Sequence, residues 1–285
     1  MTQLPLTATQ AREAFHVLLL RRMVTKLPPD RNAWRLKGGV NLRLFFESVR
    51  YSEDIDFDAP LEERERLRSV IRGTLNDIAF LRRLGELGIR EVRRGKDEIK
   101  KDTETTLRFT ANLVMQGGVP HKTKIDISFR DKRRVDPVAT DSVNPAIAER
   151  YLTANEIPLV VPHYDRVPAI RQKLGALAGR TEVQARDVFD LFALTRAAIH
   201  APDLDFLRRQ LADEVLEEAE KRAYDLPYEQ YAGKVLEFLE PTDRAAWEPR
   251  EKWIEQQLAV VELVKRVRTH REPPATPQEV TRATS

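Results

Sequence analysis

The sequence predicts an α+β fold, with a mixed sheet and flanking helices in the N-terminal half and a helical bundle after it. Three observations support this. Short β-type runs bounded by turn residues recur between Trp34 and Phe129. From Asp165 to about Thr269 the apolar residues recur at helical spacing, punctuated by Gly179, Pro202, Pro227 and Pro241. At 285 residues, 41% hydrophobic and 33% charged, the chain can bury a core and lacks a disorder composition. The expected organisation is an α/β unit over 1–160, a helical unit over 161–270 and a disordered tail over 271–285.

Each element follows from local pattern. Ala11, Phe15, Leu18, Leu19 and Met23 recur at helical spacing from Thr7 to Lys26, and Pro28-Pro29 stops that helix. Trp34–Leu36 reads as a short strand. Gly38-Gly39 turns the chain into a short helix carrying Leu42, Leu44 and Phe45, and Asp54–Phe57 is the next strand. Pro60 opens one long helix with Leu67, Val70, Ile71, Leu75 and Ile78 inward, ended by Gly85 and Gly88. Strands follow near Ile89–Arg93, Thr105–Val114 and Lys122–Phe129, the last two joined as an antiparallel hairpin through Gln116–Pro120. Ile157–Pro162 is extended. Helices are then expected over Val167–Ala178, Ala185–Ile199, Asp203–Ala223, Tyr228–Glu237 and Pro241–Val267.

Composition excludes several classes. With no Cys there is no disulfide framework and no Cys-ligated zinc, as suits a reducing cytoplasm. The N-terminus lacks a basic segment followed by a long apolar one, so no signal peptide is expected. No segment approaches the roughly 20 apolar residues of a membrane span. The five His show no metal-ligand spacing, and Walker, dinucleotide-fold and nucleophile-elbow glycine motifs are missing. Net charge is only +3, but its distribution is uneven. Arg90, Arg93, Arg94, Lys96, Lys100 and Lys101 form one basic cluster. Lys122, Lys124, Arg130, Lys132, Arg133 and Arg134 form another. Acid concentrates beyond residue 210. These clusters are either solvated strand ends or a positive face for phosphates.

The chemistry concentrates in Ser52-Glu53-Asp54-Ile55-Asp56-Phe57-Asp58. In a strand, Asp54 and Asp56 share one face while Ile55 turns inward. Two adjacent carboxylates are either a solvated polar face or hard oxygen ligands for Mg²⁺ with triphosphate. Upstream, Gly38 and Gly39 are either a plain turn or a place where backbone approaches a phosphate closely. Asp126, in the alternating run Lys124–Ser128, is either an exposed polar strand position or a third carboxylate beside Asp54 and Asp56. As the third carboxylate it would act as general base on an attacking hydroxyl. Ser52 sits beside the carboxylates, where a phosphoryl group would add about −1.5 to −2 charges and block them.

Lys37-Gly38-Gly39-Val40-Asn41-Leu42 with Arg50-Tyr51-Ser52-Glu53-Asp54-Ile55-Asp56 resembles the first motif of the AbiEii-type, MenT-like nucleotidyltransferase toxins. These belong to the DNA polymerase β-like nucleotidyltransferase superfamily. Lys173-Leu174-Gly175-Ala176-Leu177 and Ala185-Arg186-Asp187-Val188-Phe189-Asp190-Leu191 resemble that family's later motifs. Val40-Asn41 departs from the expected Thr-Ala, leaving nucleotide preference open. The resemblance implies that the first unit is a nucleotidyltransferase domain. It implies catalytic roles for Asp54, Asp56, Asp126, Lys173 and Asp187, and nucleotide contacts from Gly38, Gly39, Ser52, Lys173 and Arg186. Asp54 and Asp56 would hold Mg²⁺, or Mn²⁺ in its place, and an NTP would be substrate. Asp190 is read as structural. The implied activity is a toxin's transfer of NMP to RNA, at the tRNA 3′ end, blocking translation. The expected partners are that RNA and an AbiEi-like antitoxin, with the enzyme a cytoplasmic monomer. Two rivals stay open: a small-molecule or protein acceptor, and a non-catalytic nucleotide- or RNA-binding module.

Overall fold

The computed structural model describes residues 5–27, 33–94, 99–129 and 136–270. The proposed tail and the basic residues Lys96, Arg130, Lys132, Arg133 and Arg134 lie outside these. Helix α1 (Ala8–Lys26) starts at a capping box, with Gln10 N donating to Thr7 Oγ1 at 3.3 Å and Thr7 N donating to Gln10 Oε1 at 2.9 Å. It is buried nearly all round, so its inward polar groups need partners. Glu13 accepts from Arg43 at 2.7 Å and from the Tyr151 hydroxyl at 2.8 Å. His16 meets Thr123 at 2.9 Å, and burial, aided by Arg12 and opposed by Asp54, lowers its pKa to about 3.

Strand β1 (Arg35–Lys37) leads directly into α2 (Gly38–Phe45), and β2 (Ile55–Asp58) follows. Then come α3 (Arg64–Leu75), α4 (Ile78–Glu86), β3 (Ile89–Arg93), β4 (Ile99–Thr103), β5 (Thr106–Met115) and β6 (Pro120–Ser128). β7 (Val138–Ser142), α5 (Pro145–Tyr151) and β8 (Val160–Tyr164) complete the sheet region. The sheet order is β3-β5-β6-β2-β1-β8-β7, with β4 also on β5. β2–β6 and β1–β8 are parallel and the remaining pairs antiparallel, so the sheet is mixed as expected. Leu36, Ile55, Phe57, Ile125, Ile127, Leu107 and Phe109 alternate onto the face that packs with α1, α3, α4 and α5. The opposite face is polar.

Seven α-helices follow among the described residues. They are α6 (Arg166–Gly179), α7 (Ala185–Thr195), α8 (Ala201–Gln210), α9 (Asp213–Asp225), α10 (Tyr228–Lys234), α11 (Pro241–Trp247) and α12 (Arg250–Thr269). They share a second apolar cluster around Leu174, Phe189, Leu216, Tyr231 and Trp253. Leu42 of α2 packs into that cluster, while its helix neighbours Val40 and Leu44 pack into the first.

Several boundaries differ from expectation. The long helix after Pro60 is a 3₁₀ turn, α3 and α4, because Asp77 caps a new helix by accepting from Ala79 N (2.8 Å) and Phe80 N (3.1 Å). Gly85 lies inside α4, and Ile78 is exposed rather than inward. The expected Asp203–Ala223 helix breaks between α8 and α9, and the Pro241–Val267 helix breaks at Pro249. β4, β7 and α5 were not expected. The extended segment at Ile157–Pro162 lies three residues early relative to β8.

Asp77→Ala is expected to cost about 1 kcal/mol at neutral pH, the usual worth of an N-cap. The Phe80 amide, with Arg22 and the Ala79 amide, lowers the Asp77 pKa in the folded state. The wild-type advantage is therefore full above an ordinary aspartate pKa of about 4 and shrinks as pH falls below it. Urea denaturation of both proteins across that range checks it.

Candidate active site

The polar face of the sheet is ordered by strand register. Lys37, Asp56, Asp126 and Arg108 stand in one row across β1, β2, β6 and β5. Arg35, Asp58, Ser128 and Thr106 form the next. Asp54 is one residue before β2 rather than within it. Its carboxylate accepts from Lys124 N and Lys124 Nζ, both at 2.9 Å. Asp126 is forked by Arg108, whose Nε and Nη2 donate at 2.5 and 2.7 Å. Asp58 takes Lys37 and the Tyr164 hydroxyl. Asp56 alone among these four carboxylates has no hydrogen-bonded or ion-paired cation among the described residues. Burial pushes its pKa up. Lys37 opposes that shift, whereas Asp126 and Asp54 add to it.

The Gly38-Gly39 turn sits directly on this carboxylate. Gly38 has φ +72°, and a Cβ there would lie 2.5 Å from Asp56 Oδ2. A Cβ on Gly39 would lie 2.8 Å from Ser52 Oγ and 2.9 Å from Arg50 Nη2. The positive φ of Gly38 favours glycine, and a side chain at either position would have to displace Asp56, Ser52 or Arg50. Ser52 Oγ donates to the Asp54 carbonyl at 2.9 Å, holding the segment before β2 under the turn.

The third side of the cleft comes from the helical unit. Lys173 of α6 donates to Asp187 at 3.0 Å and to Asp190 at 2.5 Å. Both aspartates, one helical turn apart on α7, are fully buried. Asp187 also lies 2.9 Å from Arg180 Nε. Asp190 accepts from Arg50 Nη2 at 2.9 Å to each oxygen and from Nε at 3.1 Å. Desolvation opposes charge on Asp190, yet Arg50 and Lys173 outweigh it and hold its pKa below the usual range. Desolvation likewise opposes the Lys173 ammonium, but Asp190 and Asp187 raise its pKa above the usual value.

The structure thus brings together Gly38, Gly39, Ser52, Asp54, Asp56 and Asp126, and it clusters Lys173 with Asp187. Arg186, half-buried in the first turn of α7, makes no ion pair among the described residues. Two residues of the arrangement were missed. Asp190, expected to be structural, pairs with Lys173 and Arg50. Arg50, to which the sequence assigns no role, joins the glycine turn to Asp190. The available signals were the i, i+3 spacing of Asp187 and Asp190 and the position of Arg50 two residues before Ser52.

The donor set suits a hard divalent cation. Asp54 and Asp56 offer carboxylate oxygens, and Asp56 has no competing cation on it. Among the described residues, no three His, Cys, Asp or Glu side chains converge as a complete metal cage. A cation here would need oxygens from a substrate as well. No helix among the described residues is long and apolar enough to cross a membrane.

Comparison with known proteins follows this geometry. A model of the family described as Nucleotidyl transferase AbiEii toxin, Type IV TA system, matches residues 19–267. The fold is similar to the crystal structure of JHP933 from Helicobacter pylori, at 18% identity and TM-score 0.53 over 93% of each chain. It is similar to a second H. pylori crystal structure at 19% identity and TM-score 0.52, over 92% of this chain and 97% of that one. MenT4, a nucleotidyltransferase toxin from Mycobacterium tuberculosis, aligns at 18% identity and TM-score 0.48, over 92% of this chain and 89% of that one. No curated protein matches the sequence.

Removing Asp190 strands the buried Arg50 guanidinium and leaves Lys173 with Asp187 alone. Asp190→Ala is expected to destabilise by about 3–5 kcal/mol, as for one partner deleted from a buried ion pair. Asp187→Ala should cost less, because Lys173 keeps Asp190. Chemical denaturation of both variants checks the ranking, and equal losses would refute it.

Proposed function

The chain belongs to the AbiEii nucleotidyltransferase toxin family, and from that premise we propose Mg²⁺-dependent transfer of NMP from an NTP to an RNA 3′ hydroxyl, at the tRNA acceptor end. The observation behind this reading is the contact between Gly38 and Asp56. Backbone able to approach phosphate lies directly against Asp56, which alone of Asp54, Asp56, Asp58 and Asp126 has no cation partner among the described residues. A triphosphate and a metal would meet there.

In this reading Asp54 and Asp56 hold the metal, which when bound supplies charge stabilisation to the phosphate oxygens. The acceptor oxygen bonds to the α-phosphorus, the bond to the bridging oxygen breaks, and pyrophosphate leaves. Asp126 takes the hydroxyl proton once one arm of its Arg108 fork swings away. Gly38 and Gly39 admit the phosphate chain, Lys173 and Arg186 face its charge, and Ser52 holds the turn. Asp187 keeps Lys173 aimed. A phosphoryl group on Ser52 would occupy the same space and repel the NTP. Exposed Lys100 and Lys101 on β4 offer phosphate contacts for RNA. As a toxin of a toxin–antitoxin family, the enzyme has an antitoxin partner, which we take to be AbiEi-like. We place the enzyme as a cytoplasmic monomer whose catalytic unit ends near residue 160.

Asp54→Ala and Asp56→Ala are each expected to reduce transfer at least a hundredfold with the melting temperature retained. Labelled NTPs, Mg²⁺ and total RNA resolved on a gel give the readout, and wild-type rates in either variant would sink the metal assignment. Lys173→Ala should raise the KM for NTP. Charge reversal at Lys100 and Lys101 should weaken RNA labelling and flatten its salt dependence while leaving NTP binding unchanged. Label found on protein or a small molecule instead would point to a different acceptor.

A further inference from the structure

A separate cavity of about 480 Å³ lies where the C-terminal end of α2 meets the first turn of α6 and the last turn of α7. One side is apolar, with Phe45, Phe46 and Leu194. Arg166, half-buried, and Arg196, exposed, line the cavity as well. Neither arginine side chain has a hydrogen bond or ion pair among the described residues. Arg166 Nη1 is buried with no acceptor at all, a costly arrangement to leave unmade. Two carboxylates also line the cavity. Asp165 is committed to capping α6, accepting from Arg166 N at 2.6 Å, and Glu47 is exposed at the rim.

The cavity is not the catalytic cleft. The same three helices reach both places. Gly38 to Phe45, Lys173 to Arg166 and Asp187 to Arg196 each span seven to nine residues. At 1.5 Å per residue, the two sites stand roughly 10–14 Å apart. Phe45 is stacked on buried His163, ring centroids 3.6 Å apart and planes 8° from parallel, so its ring is held in place. His163 is fixed in turn by the Tyr164 carbonyl at 3.0 Å and Asp141 at 3.2 Å.

We propose that this cavity binds a nucleoside monophosphate unit, with its phosphate on Arg166 and Arg196 and its base against Phe45 and Phe46. Two unpaired guanidinium groups match phosphate through paired N–H donors. Fixed aromatic rings accept any nucleobase by stacking. The volume falls within the roughly 300–1,000 Å³ of small-ligand sites. A free nucleotide and a nucleotide within RNA share this chemistry. The inference does not depend on the transfer reaction, because binding here needs neither Asp54 nor Asp56.

The test uses the full-length protein without divalent metal, titrated calorimetrically with AMP. Arg166→Gln and Arg196→Gln should each weaken AMP binding at least tenfold. Adenosine and inorganic phosphate should each bind at least tenfold more weakly than AMP. A 5′-phosphorylated RNA dinucleotide that binds as tightly as AMP would assign the unit to RNA, and one that binds tenfold more weakly would assign it to free nucleotide. Melting temperatures of both variants should match wild type, since Arg166→Gln removes an unpaired buried donor. AMP binding that is absent, unaltered in both variants, or equalled by inorganic phosphate overturns the proposal. A marked loss of thermal stability in Arg166→Gln would also overturn it, by making that side chain structural.

Discussion

Arg50 is almost completely buried, and its charge is balanced across the two halves of the molecule. Its guanidinium lies under the Gly38-Gly39 turn, donates to the Tyr51 carbonyl at 2.9 Å and forks onto Asp190 of the helical unit. Desolvating such charges costs several kcal/mol per ion, and the cost is recovered only when every partner stays in place. Asp190 therefore cannot move away from Arg50, and Lys173 cannot move away from Asp190. The placement of Lys173 relative to the sheet carboxylates follows from that constraint. Tyr51 adds a second tie across the same seam, with its amide on the Phe238 carbonyl at 2.8 Å and its hydroxyl on Glu240.

The two walls of the cleft carry opposite imbalances. On the sheet, Asp58, Asp126 and Asp54 are ion-paired with Lys37, Arg108 and Lys124, which leaves Asp56 without an ion pair among the described residues. On the helices, Asp187 and Asp190 face Lys173, Arg50 and Arg180, which leaves one positive charge in excess. A floor short of one cation and a wall short of one anion suit a ligand that brings both. A metal-bound triphosphate is such a ligand, and a plain salt-bridge network would need no such asymmetry. The position of Asp56 sharpens the point. Its pKa is raised because burial and two like charges disfavour its ionised form, and a bound cation would relieve both.

How much was legible from the chain depended on how local each feature was. The glycine turn, Asp54-Ile55-Asp56 and the β5–β6 hairpin were readable because each signal lies within a few residues. β4 was not, since four of its five residues are exposed and it alternates poorly. It is held by pairing to β5 and by Arg64 and Arg68 on Asp102. The α3–α4 break was present in sequence as Asp77 before Ile78, but apolar spacing ran through it and hid the cap. The α11–α12 break was marked by Pro249, which cannot continue a helix interior. Arg50 and Asp190 stand 140 residues apart, and no local pattern links them. Their pairing is a property of topology, visible only once α2 and α7 are packed together.

That packing explains why a short helix can serve both units. α2 begins at the glycine turn, directly after β1. Val40 and Leu44 lie in the sheet core, Leu42 lies in the helical core, and Asn41 donates to the Tyr164 carbonyl at 2.9 Å. A helix of eight residues has little stability of its own. It persists because both cores bury its side chains, so the glycine turn is ordered only where the two cores meet. The cleft is thus a consequence of docking the two units. Its geometry is as rigid as the seam formed by α2, Arg50 and Tyr51, and any change that loosens the seam reaches the glycine turn before it reaches the sheet.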